Sequence, residues 1–384
     1  MNLKNMLENK KKSIFFYTVS HPMFGIGGAE IQSYYYAKAF AEQGWKTYFI
    51  SSLCEIKTDE FNIKNIHLLL YNRTNNSIKE TYYVLKYLAR FKPSYVFYRY
   101  IRYQYGFIVF FGRLFFNCKF IFSTMSDELC GKHASTITRR KQINRKKPIY
   151  QYLYRIKYWL QDKIFYFGVY LSHLHIVQNN FQLEKMKQDF KKNGFIIHNN
   201  TLIPEYLNTR KNLVLFIATM KFMKRPEIFC KLANKHKNSN CRYVIIGSNY
   251  SDDKMAINFS NLVKTSNIDY LGAKPLSEVQ QILSKSKLLI NTSSYEGFPN
   301  TFVQAWARGV PVISLSVDPD NIIKNNHLGI SCDNDFNKLV DNTEKLLNDN
   351  ILWNKLSRNC YNYALKNLNT NIIVKKIINI IQSN

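Results

Sequence analysis

Two kinds of pattern alternate along the chain. Short apolar runs recur at Ser13–Val19 (SIFFYTV), Lys46–Ser51, Tyr95–Tyr98 (YVFY), Lys119–Ser123 (KFIFS), His173–Val177 (HLHIV), Phe195–His198, Leu213–Ala218 (LVLFIA), Tyr243–Gly247 (YVIIG), Lys287–Thr292 (KLLINT), Val310–Leu315 and Leu328–Cys332 (LGISC). Runs of this length without strict alternation read as strands buried on both faces of a parallel sheet. Between them lie stretches at helical spacing: Ala29–Gln43, Ser77–Arg90, Gly106–Phe116, Phe181–Phe190, a segment ending near Lys235, one opening on a Ser277/Gln280 capping box, and Phe336–Asn348, Ile351–Leu365 and Thr370–Gln382. Strands alternating with helices define an α/β fold with parallel sheets.

The length of 384 residues suits two domains. The divisions expected are a basic tail at 1–12, a first Rossmann-like domain at 13–204, a second at 205–362, and a C-terminal helical segment at 363–384. Pro204–Asn212 is the expected linker. An apolar content of 46% argues against disorder. The net charge of +28 attracts polyanions: nucleic acid, anionic head groups or phosphorylated substrates. Much of it gathers between Lys132 and Lys163, including Arg139, Arg140, Lys141, Arg145, Lys146, Lys147, Arg155 and Lys157, interleaved with Tyr150, Tyr152, Tyr154, Tyr158 and Trp159. Such a mixture suits an anionic membrane surface, and equally a basic loop feeding a core helix. No RNP, KH, helix-turn-helix or zinc pattern accompanies the charge, which argues against a nucleic-acid binder. The seven cysteines are odd in number and lack C-x-x-C, as for reduced cytosolic thiols. Neither a membrane span nor a signal segment is evident, so the expected location is the cytoplasm, including the inner face of its membrane.

The chemistry concentrates at Asn291–Ser314, NTSSYEGFPNTFVQAWARGVPVIS. Here a strand breaks at Ser293, Ser294, Gly297 and Pro299. A helix follows with Phe302, Ala305 and Trp306 on one side, Gly309 ends it, and a strand restarts. The loop brings Glu296 to a helix N-terminus, where backbone N–H groups favour an anion. A carboxylate cannot favour that same anion, so it addresses neutral hydroxyls.

The segment EGFPNTFVQAWARGVPV resembles the donor-site motif of the family 4 retaining glycosyltransferases, which have the GT-B fold: two Rossmann-like parallel-sheet domains facing across a cleft. Their pattern is Glu, seven residues, Glu; here the positions are Glu296 and Gln304. The resemblance implies a glycosyltransferase of bacterial cell-surface polysaccharide synthesis. Its donor would be a nucleotide-sugar such as a UDP- or GDP-sugar, and its acceptor a glycan or lipid-linked molecule, with no cofactor and no metal. It implies Glu296 and Lys224 as catalytic residues. Donor contacts are implied at Gly297, Phe298, Asn300, Thr301 and Gln304. On the loop TMKFMKRPE, Lys224 falls on the family's lysine position, Thr219 stands at its arginine position, and Lys221 or Arg225 is left to supply the missing charge. The backbone near Ala273 and Lys274 is implied to meet the base. G-G-A-E after the first strand places Gly27 and Gly28 near the donor diphosphate. Many members carry a His after the strand that is Lys119–Ser123 here; the nearest ionisable residue in this chain is Asp127, on the acceptor side. Gln304 leaves one alternative open, a weak or inactive GT-B subunit that binds a partner.

Overall fold

The computed structural model describes residues 12–19, 27–53, 60–74, 76–127, 130–133, 147–207, 211–237 and 240–384. The chain forms two compact units, one of residues 1–198 with 374–384 and one of residues 199–373.

In the first unit the strands are β1 (Ser13–Tyr17), β2 (Lys46–Leu53), β3 (Glu60–Ile63), β4 (Ile66–Asn72), β5 (Tyr95–Tyr98), β6 (Lys119–Ser123), β7 (Leu174–Val177) and β8 (Phe195–Ile196). They make one sheet in the order β3-β4-β2-β1-β5-β6-β7-β8. All neighbours are parallel except β3 and β4. That hairpin was not predicted. It turns on Lys64 and Asn65, with φ of 48° and 66°, the left-handed pair that a tight hairpin needs but that carries no glycine here. The core is aromatic: Phe15 stacks on Tyr48 at 4.5 Å and Tyr98 on Tyr105 at 4.2 Å. Beside it, the Glu80 carboxylate, 6% exposed, accepts from Arg102 Nη1 at 2.8 and 2.7 Å, Tyr17 Oη at 2.7 Å, Tyr71 Oη at 3.1 Å and Gln104 Nε2 at 3.2 Å. Its charge is thus paired and hydrogen-bonded, the condition for burying a carboxylate.

The basic stretch proves to contain a long helix, Pro148–Leu171. It packs parallel to the helix Gln104–Phe116, with Phe110 against Phe167 and Arg113 Nη1 donating to Leu171 O. The contact is tight because both partners present glycine. A Cβ on Gly106 would lie 2.1 Å from Ile164 O, and one on Gly168 would lie 2.7 Å from Gly106 Cα. Arg139, Arg140, Lys141, Arg145 and Lys146 lie outside the described residues. Among the described residues no helix is long and apolar enough to cross a membrane.

The second unit carries β9 (Leu213–Ile217), β10 (Arg242–Ile246), β11 (Asp269–Tyr270), β12 (Leu288–Asn291), β13 (Val312–Ser314) and β14 (Gly329–Ser331). The sheet is wholly parallel, in the order β11-β10-β9-β12-β13-β14. Asn199, Asn200 and Thr201 are tied into this unit. Asn199 Nδ2 donates to Phe298 O at 2.6 Å, Thr370 Oγ1 to Asn200 Oδ1 at 2.7 Å, and Thr201 N to Leu368 O at 3.0 Å. The Ser277/Gln280 capping box is not formed. Pro275 is the N-cap of the helix Leu276–Ser284, Val279 N already bonds to Pro275 O at 3.0 Å, and Ser277 lies inside the helix. An unpredicted helix, Asp253–Lys264, is capped by Asp252 Oδ1, which accepts from Met255 N at 3.1 Å.

The glycine contact yields a test. Gly106→Ala places a methyl against a backbone carbonyl that cannot rotate away. It is expected to cost roughly 1–3 kcal/mol, the range for overpacking a tight core, despite alanine's better helix propensity. Chemical denaturation followed by far-UV circular dichroism measures it; an unchanged midpoint would show that the helices can part freely.

Candidate active site

Strands β9 and β12 are neighbours in parallel register, with Leu288 opposite Val214, so the loops leaving their carboxyl ends emerge side by side. The first loop tightens into a turn at Phe222–Lys224, then passes through Arg225 at φ 49°, ψ 53° into the helix Pro226–Lys235. The second carries Thr292 to Pro299. Neither loop has a ladder partner, so the two satisfy each other. Ser294 N donates to Met223 O at 2.9 Å, and Thr292 Oγ1 lies 2.7 Å from Lys224 O and 2.8 Å from Arg225 O. Arg225 closes the joint. Its Nε donates to Thr292 O at 2.6 Å, Nη2 to Ser293 O at 3.1 Å and Ser316 Oγ at 2.7 Å, and Nη1 to Asn334 Oδ1 at 3.0 Å. A left-handed backbone at a non-glycine residue costs of order 1–2 kcal/mol, and these charge-assisted bonds offset it. Desolvation draws the Arg225 pKa below its usual value.

This joint sets Lys224 beside Glu296. Lys224 Nζ lies 2.8 Å from Glu296 Oε2, with the two side chains 18% and 15% exposed. The other carboxylate oxygen, Oε1, accepts from Asn291 Nδ2 at 2.9 Å and Ser293 Oγ at 2.7 Å. Three donors therefore fix the plane of the carboxylate. The ammonium has three N–H donors, and one bond to Glu296 leaves two directions for an anion.

The helix Asn300–Trp306 follows, with Phe302, Val303, Ala305 and Trp306 buried and Trp306 Nε1 bonded to Leu328 O at 3.1 Å. Gln304 is 6% exposed, and one turn on lies Arg308, equally buried, whose Nη1 donates to Gln304 O at 3.1 Å. Gly309, at φ 66°, ends the segment.

The structure thus brings Glu296 and Lys224 together, with Gly297, Asn300, Thr301 and Gln304 following on the same loop and helix. The remaining expected residues take the following places. Phe298 is 3% exposed and its ring packs toward Trp306 at 6.2 Å, while its carbonyl is held by Asn199, so the ring serves the core. Arg225 spends its three guanidinium nitrogens on the loops and is a positioning residue. Lys274 lies beyond the edge strand β11 and pairs with Glu278 at 3.3 Å, one helical turn away. In the first unit, Gly27 caps the helix Gly28–Glu42, and a Cβ there would lie 2.0 Å from Glu30 Oε2. A carboxylate, not open space, adjoins that turn. Asp127 Oδ1 accepts from Asn179 Nδ2 at 2.9 Å and Gln182 Nε2 at 2.7 Å, among buried amides at the carboxyl ends of β6 and β7. Asp318 Oδ1 accepts from Ile323 N at 2.8 Å, in the first turn of the helix Ile322–Asn326. Sequence reasoning missed Asn291, Ser293 and Arg308; the polar run N-T-S-S straight after an apolar strand was the available signal for the first two.

The fold defines the class first: two Rossmann-like parallel-sheet units, the GT-B architecture. It is shared with sucrose-phosphate synthase from Thermosynechococcus elongatus (TM-score 0.75, 14% identity, 97% of this chain and 98% of that one). Anabaena HepE, solved with UDP and glucose, has it too (TM-score 0.71, 13% identity, 97% and 100%). Residues 199–367 match the family model of the glycosyl transferases group 1. Curated relatives agree. A poly(ribitol-phosphate) alpha-N-acetylglucosaminyltransferase of Staphylococcus aureus (strain COL) is 25% identical over 215 residues, 54% of this chain and 41% of that protein. A UDP-Gal:alpha-D-GlcNAc-diphosphoundecaprenol alpha-1,3-galactosyltransferase of Escherichia coli is 24% identical over 215 residues, 53% and 52%. The matched region thus spans about half the length of these curated relatives.

Arg225→Ala leaves the carbonyls of Thr292 and Ser293 without their donor. A stability loss of about 2–4 kcal/mol is expected, since hydrogen bonds to a charged group contribute ~1.5–3 kcal/mol each and several are lost with partial relaxation. Arg225→Lys is expected to recover little, because an ammonium cannot span acceptors on three segments. Thermal unfolding of the three proteins measures this; full rescue by lysine would leave only a charge requirement.

Proposed function

We propose that this chain is a retaining, metal-independent glycosyltransferase that moves a sugar from a nucleoside diphosphate donor to a glycan or lipid-linked acceptor of the bacterial cell surface. The observation that carries the reading is the preformed Lys224–Glu296 pair at the carboxyl ends of β9 and β12, inside the region that matches the group 1 family. In open parallel sheets that end is where ligands bind. The curated relatives support a surface-glycan acceptor by their names, and UDP in the galactosyltransferase's name and in the HepE structure supports a UDP-sugar.

The residues divide the work by charge. The bond between the anomeric carbon and the diphosphate oxygen breaks, and negative charge grows on the leaving phosphate. Lys224 turns its two remaining N–H donors to that charge, and the first turn at Asn300–Thr301 adds backbone N–H groups. Fixed donors aimed at developing charge commonly lower such a barrier more than any other single effect. Glu296, its plane set by Asn291 and Ser293, accepts from sugar hydroxyls and balances positive charge on the anomeric carbon. The acceptor hydroxyl enters on the face the phosphate leaves and passes its proton to that phosphate, which gives retention without a dedicated base. Asp127 serves acceptor recognition, with Oδ1 fixed by two amides.

Glu296→Ala is expected to lower turnover about 10²–10³-fold, as for loss of one preorganised electrostatic group, while donor binding persists. Lys224→Ala is expected to raise KM and lower kcat together, because its charge meets phosphate before and during bond breaking. Release of UDP from a panel of UDP-sugars reads both; near-normal turnover in the Glu296 variant would remove it from the mechanism, and no donor turnover by the parent chain would favour the binding subunit.

Gln304→Glu tests the departure from the family pattern. The added carboxylate has the Arg308 guanidinium one turn away as a counter-charge. If Gln304 faces the ribose, UDP affinity holds or improves by up to about tenfold, or ~1.4 kcal/mol. Calorimetric titration decides, and a clear loss of affinity would show a donor site built around glutamine.

A further inference from the structure

The helix Pro148–Leu171 is longer than the body it packs on. Gly106, the third residue of its neighbour helix, is level with Ile164 and Gly168. Its earlier residues therefore run past the start of that neighbour by about 20 Å, at ~1.5 Å per residue. No residue from Lys147 to Lys157 is buried. The helix feeds the amino end of β7, so this overhang lies at the carboxyl end of the sheet, the ligand-binding end of a parallel α/β unit.

Its outer side is not polar. Ile149, Leu153, Ile156 and Leu160 follow at steps of four, three and four residues, which aligns them in one stripe. They are 65%, 54%, 40% and 48% exposed. Tyr158 and Asp162, on the opposite side, are buried. The apolar stripe thus faces away from the unit, the reverse of a surface helix in a globular core. Exposed Tyr152 and Trp159 flank it, and Lys163 Nζ sits 5.5 Å over the Trp159 ring. Further along the same helix, half-exposed Phe167 packs against Phe110 of the neighbouring helix, where Leu114 and Phe115 are also exposed.

We propose that this overhang docks the chain onto an anionic lipid surface, with the stripe at the acyl boundary and the lysines among the head groups. Charge decides against a second copy of the chain. From Lys147 to Gln161 there is Lys147, Arg155 and Lys157 but no Asp or Glu, so two such helices would repel. Aromatic rings and lysines bordering an apolar stripe are the chemistry of a lipid interface. This places the contact on the described helix; Arg139, Arg140 and Lys141 lie outside the described residues.

The test uses the full chain with vesicles of phosphatidylcholine, with and without phosphatidylglycerol. Of the four tryptophans, Trp45, Trp306 and Trp353 are buried, so Trp159 reports contact. Salt-sensitive co-sedimentation with the anionic vesicles is expected, with quenching by brominated lipid that Trp159→Phe removes. The double variant Leu153→Gln/Leu160→Gln is expected to weaken partitioning at least about tenfold, since two exposed leucines no longer enter the apolar layer. Undiminished sedimentation of that variant, or quenching that survives Trp159→Phe, overturns the proposal. So does a lipid-free dimer of the parent chain that the double variant turns into monomer. UDP binding by each variant, expected unchanged, keeps the result separate from the transfer reading.

Discussion

Everything at the candidate site depends on holding an ammonium and a carboxylate 2.8 Å apart on two loops that share no ladder. A parallel sheet delivers its loops to one end but gives their backbones nothing to bond to. Here side chains fill that need: Thr292 lies against the carbonyls of one loop, and Arg225 reaches from that loop to the carbonyls of the other. The pair is thereby preorganised before any substrate arrives. Its cost is met by structure on either side, down to the left-handed backbone that aims Arg225.

Much of this could be read from the sequence because the governing signals are local. Tyr95–Tyr98, Lys119–Ser123 and Phe336–Asn348 were expected with the bounds they have, since their apolar runs end at clear polar or helix-capping residues. Glu296 and Lys224 were expected only from the family resemblance; the neighbouring strands β9 and β12 supply the physical reason they meet. The misreadings share one cause, which is that residue type does not say what a side chain faces. Arg225 has the charge of a phosphate ligand, yet four protein oxygens claim it. Phe298 lies in a binding motif, yet its ring completes the core behind the motif. The β3–β4 hairpin turns on Lys64 and Asn65, where no glycine marks the turn. Ser277 fits a capping box, but Pro275 starts the helix first.

The two units differ in how they treat charge. In the second, ionic groups cluster at a loop junction and stay partly open to solvent. In the first, Glu80 is drawn beneath the surface and held by an arginine, two tyrosines and a glutamine from separate elements. Removing one member there strands a buried charge, so the cluster fixes how β1, β4 and the Arg102–Gln104 segment sit together. The family match begins at residue 199, so this cluster and the long helix lie outside it. The matched span thus falls within the second unit.

The contact of Gly106 with Gly168 has a mechanical consequence. The two helix backbones come close there, with the Ile164 methyl and the Phe110 and Phe167 rings packed beside the contact, which leaves the long helix little room to rock. Its projecting end is therefore a rigid arm, not a tether. A tether confines a protein near a surface but lets it tumble; an arm sets its height and tilt as well. Whatever meets the arm, the carboxyl end of the first sheet is presented to it at one angle.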